Sequence, residues 1–313
     1  MLGQPLLLLR AWATLLWTAF LSVTADGLAE SPSVAADGQS KYMRFLDRGR
    51  EEGTLQTSIV TFRNADGIEV ALIGAVHIGD KSYYATLSKD FERYDSLLYE
   101  MIKDKDVDPT PDRKGGMSML SAFQRMLKNM LSLEFQLDGI DYSNENFVHA
   151  DMDPKTFFAM QKKKGESILT LMLDAMRHEF KKQREDRGRS MNTFDLLRAF
   201  MSDDSSRTLK YLFAKQLEDM EDALAGIESN GGSVIVAERN KVALRVLVKE
   251  VEKGRKKLGI FYGAAHMDDM EKRLTEEMGF EQVGEPRWIN AWEIRRKGSK
   301  RGPRKPAPKR RRI

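Results

Sequence analysis

The sequence predicts an α/β fold, with strand-then-helix units at both ends of the body and a long helical region between them. Two observations carry this. Val70–Ile73 and Leu258–Tyr262 are short apolar runs of buried-strand type, each followed by Gly-Ala-x-His and then by a helical stretch. Between them, Leu120, Phe123, Leu127, Met130 and Leu131 recur at helical spacing, and Thr208–Leu224 repeats the pattern.

The two strand ends echo each other closely. Gly74, Ala75, His77 and Asp80 match Gly263, Ala264, His266 and Asp269 at a constant offset of 189 positions. Of the four histidines in the chain, two fall in this repeated context, which makes them the leading functional candidates.

Met1 to about Ala25 reads as a signal peptide. Arg10 precedes the apolar Ala11–Val23, and Val23-Thr24-Ala25 supplies small residues for cleavage. The expected location is therefore outside the cytoplasm: periplasm, cell surface or secreted. An uncleaved membrane anchor is the alternative, although the apolar run is shorter than the ~20 residues a span requires. Residues 26–40 are small and polar and read as a linker. A globular body follows over 41–294. Thr57–Phe62 and Ile68–Ile73 form a hairpin about the Asn64-Ala-Asp-Gly67 turn. Asp80 is expected to cap a helix running to about Phe91. Ser96–Ile102 is an apolar strand with one acid, Glu100, inside it, and an unpaired buried carboxylate is costly. Asp153-Pro154 starts another helix. Val234–Val251 is helical, with Arg239-Asn240 near its start, and the second Gly-Ala-x-His unit leads into a helix over about Met270–Glu277. Trp288–Ile294 alternates as a strand.

Composition narrows the chemistry. With no cysteine, disulfides, thiolate metal sites and cysteine nucleophiles are excluded, so a metal would be held by His, carboxylate, carbonyl or water. The net charge of +4 resides in the tail: residues 295–313 carry eleven Lys or Arg and no acid, and removing them leaves the body at −7. That tail is expected to be disordered and is a candidate for an anionic surface or polymer; no specific nucleic-acid binding is expected of the domain. No Gly-x-Ser-x-Gly, His-Glu-x-x-His or Walker-type run occurs.

In an open α/β sheet, ligands bind beyond the carboxyl ends of the strands. Two Gly-Ala-x-His units in one sheet would bring His77 and His266 together there, with Glu100 completing a His-Glu-His metal site. Glu100 is then ligand or general base, and Arg239 and Asn240 orient it or stabilise an oxyanion, which makes Glu100, Arg239 and Asn240 the catalytic candidates. Asp80 and Asp269 read as helix caps. His149 is a weaker further ligand, and His178, among charges, reads as surface.

Gly74–His77, Glu100, Arg239-Asn240 and Gly263–His266, in that order, resemble the motifs of the TraB/PrgY/Tiki superfamily over roughly Thr57 to Ile294. The resemblance implies a central mixed sheet flanked by helices with a large helical insert, here about 104–228, related to the ChaN and erythromycin-esterase-like folds. It also implies a metal-dependent hydrolase acting on a peptide or protein; the divalent ion that the cysteine-free donor set favours is zinc, manganese or cobalt. The TraB and PrgY branches, tied to pheromone shutdown, imply instead a non-catalytic protein that sequesters a peptide, metal or haem. The basic tail and the charged, Met-rich insert depart from the Tiki pattern.

Overall fold

The computed structural model describes residues 40–104, 131–164, 198–199, 201–202, 204–228 and 234–296. The signal-peptide reading, nearly all of the linker, the tail beyond Arg296, His178 and much of the 104–228 stretch lie outside them.

The described body is α/β, with an eight-stranded mixed sheet flanked by helices. Its antiparallel part is built on β2 (Glu52–Arg63), whose twelve residues are long enough to serve two partners on each edge. One edge carries β1 (Met43–Gly49) and then β3 (Glu69–Ala75); the other carries β10 (Arg287–Ile294) and then β9 (Glu281–Gln282). The β2–β3 hairpin turns at Gly67, whose φ of 76° suits a residue without a Cβ.

From β3 onward the sheet is parallel: β3, β8 (Lys257–Gly263), β5 (Ser96–Tyr99) and β7 (Phe147–His149), in that order. Leu72, Ile73, Leu97, Leu98, Ile260 and Phe261 are fully buried, as expected where helices cover both faces of parallel strands. Strand β7 falls within the stretch read as helical insert. Its three residues are too few to show a period, and pairing with Leu97–Tyr99 makes it a strand.

Around the sheet lie α1 (Lys81–Phe91), α2 (Gln136–Gly139), α3 (Pro154–Lys164), α4 (Ser205–Glu228), α5 (Arg239–Glu252) and α6 (Met267–Glu276). Asp153 caps α3 as its sequence suggests, accepting the Thr156 N–H at 2.8 Å. A two-residue ladder joins β4 (Ile78–Gly79) to β6 (Glu134–Phe135). No helix among the described residues is long and apolar enough to cross a membrane.

Candidate functional site

Each of the four parallel strands delivers one chemically active side chain just past its carboxyl end: His77 after β3, His266 after β8, Glu100 after β5 and Asp151 after β7. The sequence repeat pairs side by side but one residue out of step, with Ala75 rather than Gly74 opposite Gly263. A one-residue shift turns matching positions to opposite sheet faces. A 3-10 turn, Ala264–His266, then carries the second unit into α6, whereas the first continues into β4.

The three side chains expected at the metal site meet around Gly263. A Cβ on that glycine would lie 3.5 Å from Glu100 Oε2, 3.7 Å from His77 Nε2 and 3.7 Å from His266 Cδ2. The Gly263 φ of −52° is open to any L-residue, so the glycine here provides room rather than a special turn.

Glu100 is held from two sides. Arg239 Nη2 donates to Oε1 at 2.7 Å, and the Gly263 N–H donates to Oε2 at 2.8 Å. Burial favours the neutral acid, but the Arg239 guanidinium above all, with the neighbouring imidazoles and the Gly263 N–H, outweighs it. The carboxyl is thereby held well below the usual carboxylate range. Arg239 itself follows a single π-helical turn, Val234–Glu238, and opens α5. Its guanidinium also grips Asp151 with two bonds, Nε to Oδ1 at 2.9 Å and Nη2 to Oδ2 at 2.6 Å. Burial works against this cation, yet Glu100 and Asp151 raise its pKa above the ordinary arginine value. Among the described residues, two buried carboxylates thus share one guanidinium, leaving a formal negative excess.

His266 is buried, and Asn240 fixes its orientation. The Asn240 amide nitrogen donates to the His266 carbonyl at 3.1 Å and to Asp269 Oδ2 at 2.8 Å, so its oxygen is the end that faces His266 Nδ1, at 2.7 Å. That oxygen only accepts, which puts the imidazole proton on Nδ1. Burial, outweighing the pull of Glu100, lowers the His266 pKa to about 4. At neutral pH the Nε2 lone pair therefore faces Glu100 Oε1 across 3.6 Å, two acceptors with no proton between them. A cation or a water hydrogen would relieve that opposition.

His77 is the exposed member, on a loop whose carbonyls are pinned from several sides. Tyr83 OH and Tyr84 OH donate to the carbonyls of Gly74 (3.4 Å) and Val76 (3.0 Å), the Gln136 N–H to that of His77 (2.8 Å), and Trp292 Nε1 to that of Ile78 (2.7 Å).

Donor types and tautomer fit a divalent cation held by His77 Nε2, His266 Nε2 and a Glu100 oxygen. Among the described residues no three His, Asp or Glu side chains are already drawn up as a coordination group.

All five sequence candidates, His77, Glu100, Arg239, Asn240 and His266, come together. Their roles divide differently from expectation in one respect: Arg239 orients Glu100, but the Asn240 amide is committed to His266 and Asp269. Nor does either repeated aspartate cap a helix through its side chain. Asp80 sits at the N-cap position of α1 without a side-chain cap; its carboxylate accepts from Lys210 Nζ at 3.0 Å and the Glu293 N–H at 2.6 Å. Asp269 lies inside α6 and binds Asn240 and Arg273. His149 turns its Nε2 to the Met101 carbonyl at 2.7 Å. Sequence reading missed Asp151, Gln136 and Tyr142. Asp151, an acid two residues past a short apolar strand, carried the same signal as Glu100; Gln136 and Tyr142 carried none. No protein-family model, curated protein or solved structure matches this chain.

Proposed function

We propose that the protein is an exported, metal-dependent hydrolase acting on peptides, with His77, His266 and Glu100 as ligands of a zinc, manganese or cobalt ion. The carrying observation is the approach of His77 Nε2, Glu100 Oε2 and the His266 ring to within 3.7 Å of one point beside Gly263. The negative excess around Arg239 and the proton-free Nε2 of His266 support it, since both are relieved by a cation. Bound there, a divalent ion supplies Lewis acidity and lowers the pKa of a coordinated water. The ordered Gly-x-x-His, Glu and Arg-Asn motifs agree with the TraB/PrgY/Tiki resemblance, and the large helical insert belongs to the same reading.

Within this reading Glu100 acts as ligand and fixed negative charge. A general base works best with a pKa near the working pH, and Glu100 is held far below it. Arg239 keeps Glu100 ionised and aimed, and Asn240 keeps His266 Nε2 open.

One observation favours a second reading, sequestration of a peptide, metal or haem without turnover. Among the described site residues, Glu100 is a poor base and the Asn240 amide is already engaged, which leaves neither an evident base nor an oxyanion donor. Metal analysis of the full chain and of the His77→Ala and His266→Ala variants, with cleavage of a peptide library, separates the two. The hydrolase reading expects bound metal and turnover, both lost in the variants. Metal without turnover selects sequestration, and unchanged metal content in both variants sinks the site.

A further inference from the structure

The second histidine of the repeat has a dedicated carboxamide, Asn240; the first has one too, on an element with no counterpart in the repeat. Gln136 presents Oε1 to His77 Nδ1 at 3.0 Å, while its Nε2 donates to Tyr142 OH at 2.8 Å. Both Gln136 and Tyr142 are buried, although the imidazole they serve is exposed. The main chain reinforces the contact: Ile78 pairs with Phe135, and the Gln136 N–H donates to the His77 carbonyl at 2.8 Å. The residue is thus gripped at its backbone and its ring by one neighbour.

Hydrogen counting gives this grip a chemical meaning. An amide has donors on nitrogen and acceptors on oxygen only. With the Gln136 nitrogen turned to Tyr142, its oxygen can only accept from His77, so His77 carries its proton on Nδ1 and leaves Nε2 as a lone pair. That Nε2 is the atom lying 3.7 Å from the Gly263 Cβ position. The opposite amide orientation would have Tyr142 donate to Oε1 and the amide nitrogen donate to Nδ1, and His77 would then present an N–H to the site, unable to bind a cation.

We propose that Gln136, anchored on Tyr142, is the positioning residue that fixes the His77 tautomer and makes its Nε2 an acceptor toward the site. What that acceptor receives, a divalent cation, rests on the function proposed above; the tautomer does not. Partners that orient a ligating imidazole are commonly worth ~10–100-fold in metal affinity.

The test uses the full chain, metal-free, with 15N-labelled histidine. Long-range 1H–15N NMR reads which ring nitrogen of His77 is protonated above its titration range, with His77→Ala giving the assignment. The expected result is Nδ1–H in the native protein, loss of that single tautomer in Gln136→Leu and Tyr142→Phe, and its retention in Gln136→Glu, whose carboxylate still accepts from Nδ1. Zinc titration of the same samples should fall ~10–100-fold in Gln136→Leu and be largely restored in Gln136→Glu. A native His77 carrying its proton on Nε2, or a Gln136→Leu variant with the tautomer unchanged, overturns the proposal. Should Gln136→Leu not fold, the native spectrum and Gln136→Glu still decide it. If the tautomer behaves as expected but zinc binds none of the samples, the positioning role stands and the metal reading falls.

Discussion

Gly74 and Gly263 occupy the same place in the repeat but opposite faces of the sheet, because Ala75 is the residue that pairs with Gly263 across β3 and β8. A Cβ on Gly74 would press on two backbone oxygens, Tyr42 O at 3.3 Å and Ser58 O at 3.4 Å, whereas one on Gly263 would only fill the space among Glu100, His77 and His266. Gly74→Ala should therefore destabilise by about 1–3 kcal/mol through overpacking. Gly263→Ala should melt within about 1 kcal/mol of the native protein yet lose ligand binding. Denaturant unfolding beside zinc titration checks both; full zinc binding by Gly263→Ala would refute the shared point.

The repeated aspartates separate in the same way. Asp269→Ala removes a partner of Asn240 and should weaken zinc binding ~10–100-fold; it also leaves a buried Asn240 N–H without its acceptor, at about 1–3 kcal/mol, and breaks an i,i+4 pair worth about 0.5 kcal/mol. Asp80→Ala strands the largely buried Lys210 and should cost on the order of 3 kcal/mol without altering zinc affinity. Equal effects on affinity would show that the Asn240 link does not matter.

Arg239→Leu leaves Glu100 and Asp151 buried without their common cation. Breaking such an arrangement from one side costs about 3–5 kcal/mol. Urea unfolding should show that loss, and the double variant that also carries Asp151→Leu should recover part of it. A single variant as stable as the native protein would mean that the cluster is solvated.

Acid should weaken the fold through His266. Its pKa is about 4 when folded against 6.5 for the free side chain, so between these values the unfolded chain binds the extra proton. Stability is complete above pH 6.5 and falls toward pH 4, with a limiting slope of about 1.4 kcal/mol per pH unit from this group. Glu100, whose folded pKa is depressed, adds a further loss as pH falls below its unfolded value of 4.5. In His266→Gln the slope between pH 6.5 and 4 should flatten; unfolding free energies across that range measure it.

What the sequence disclosed was whatever is written locally. The β2–β3 hairpin, the two strand ends and the Asp153 cap follow from alternation, turn chemistry and spacing; His77, Glu100 and His266 were readable because strand ends in an α/β sheet share one edge, and Arg239 and Asn240, which open α5, only as an Arg-Asn pair in the ordered motif set. The one-residue stagger was hidden, since a repeat records similarity and not register. Asp80 and Asp269 misled because the capping rule looks only forward along the chain, while their partners, Lys210 and Asn240, are remote. Gln136 lies beside His77 only through the Ile78–Phe135 pairing, a two-residue ladder that no periodicity betrays.

Of the four parallel strands, the last to occur in the sequence, β8, is inserted between β3 and β5. During synthesis those two earlier strands must wait with open edges until Lys257–Gly263 emerges, and an open edge invites pairing with other chains. A fragment stopping short of that segment would hold only half of the imidazole pair and an unzipped centre. Late truncations should therefore aggregate rather than yield a smaller working protein.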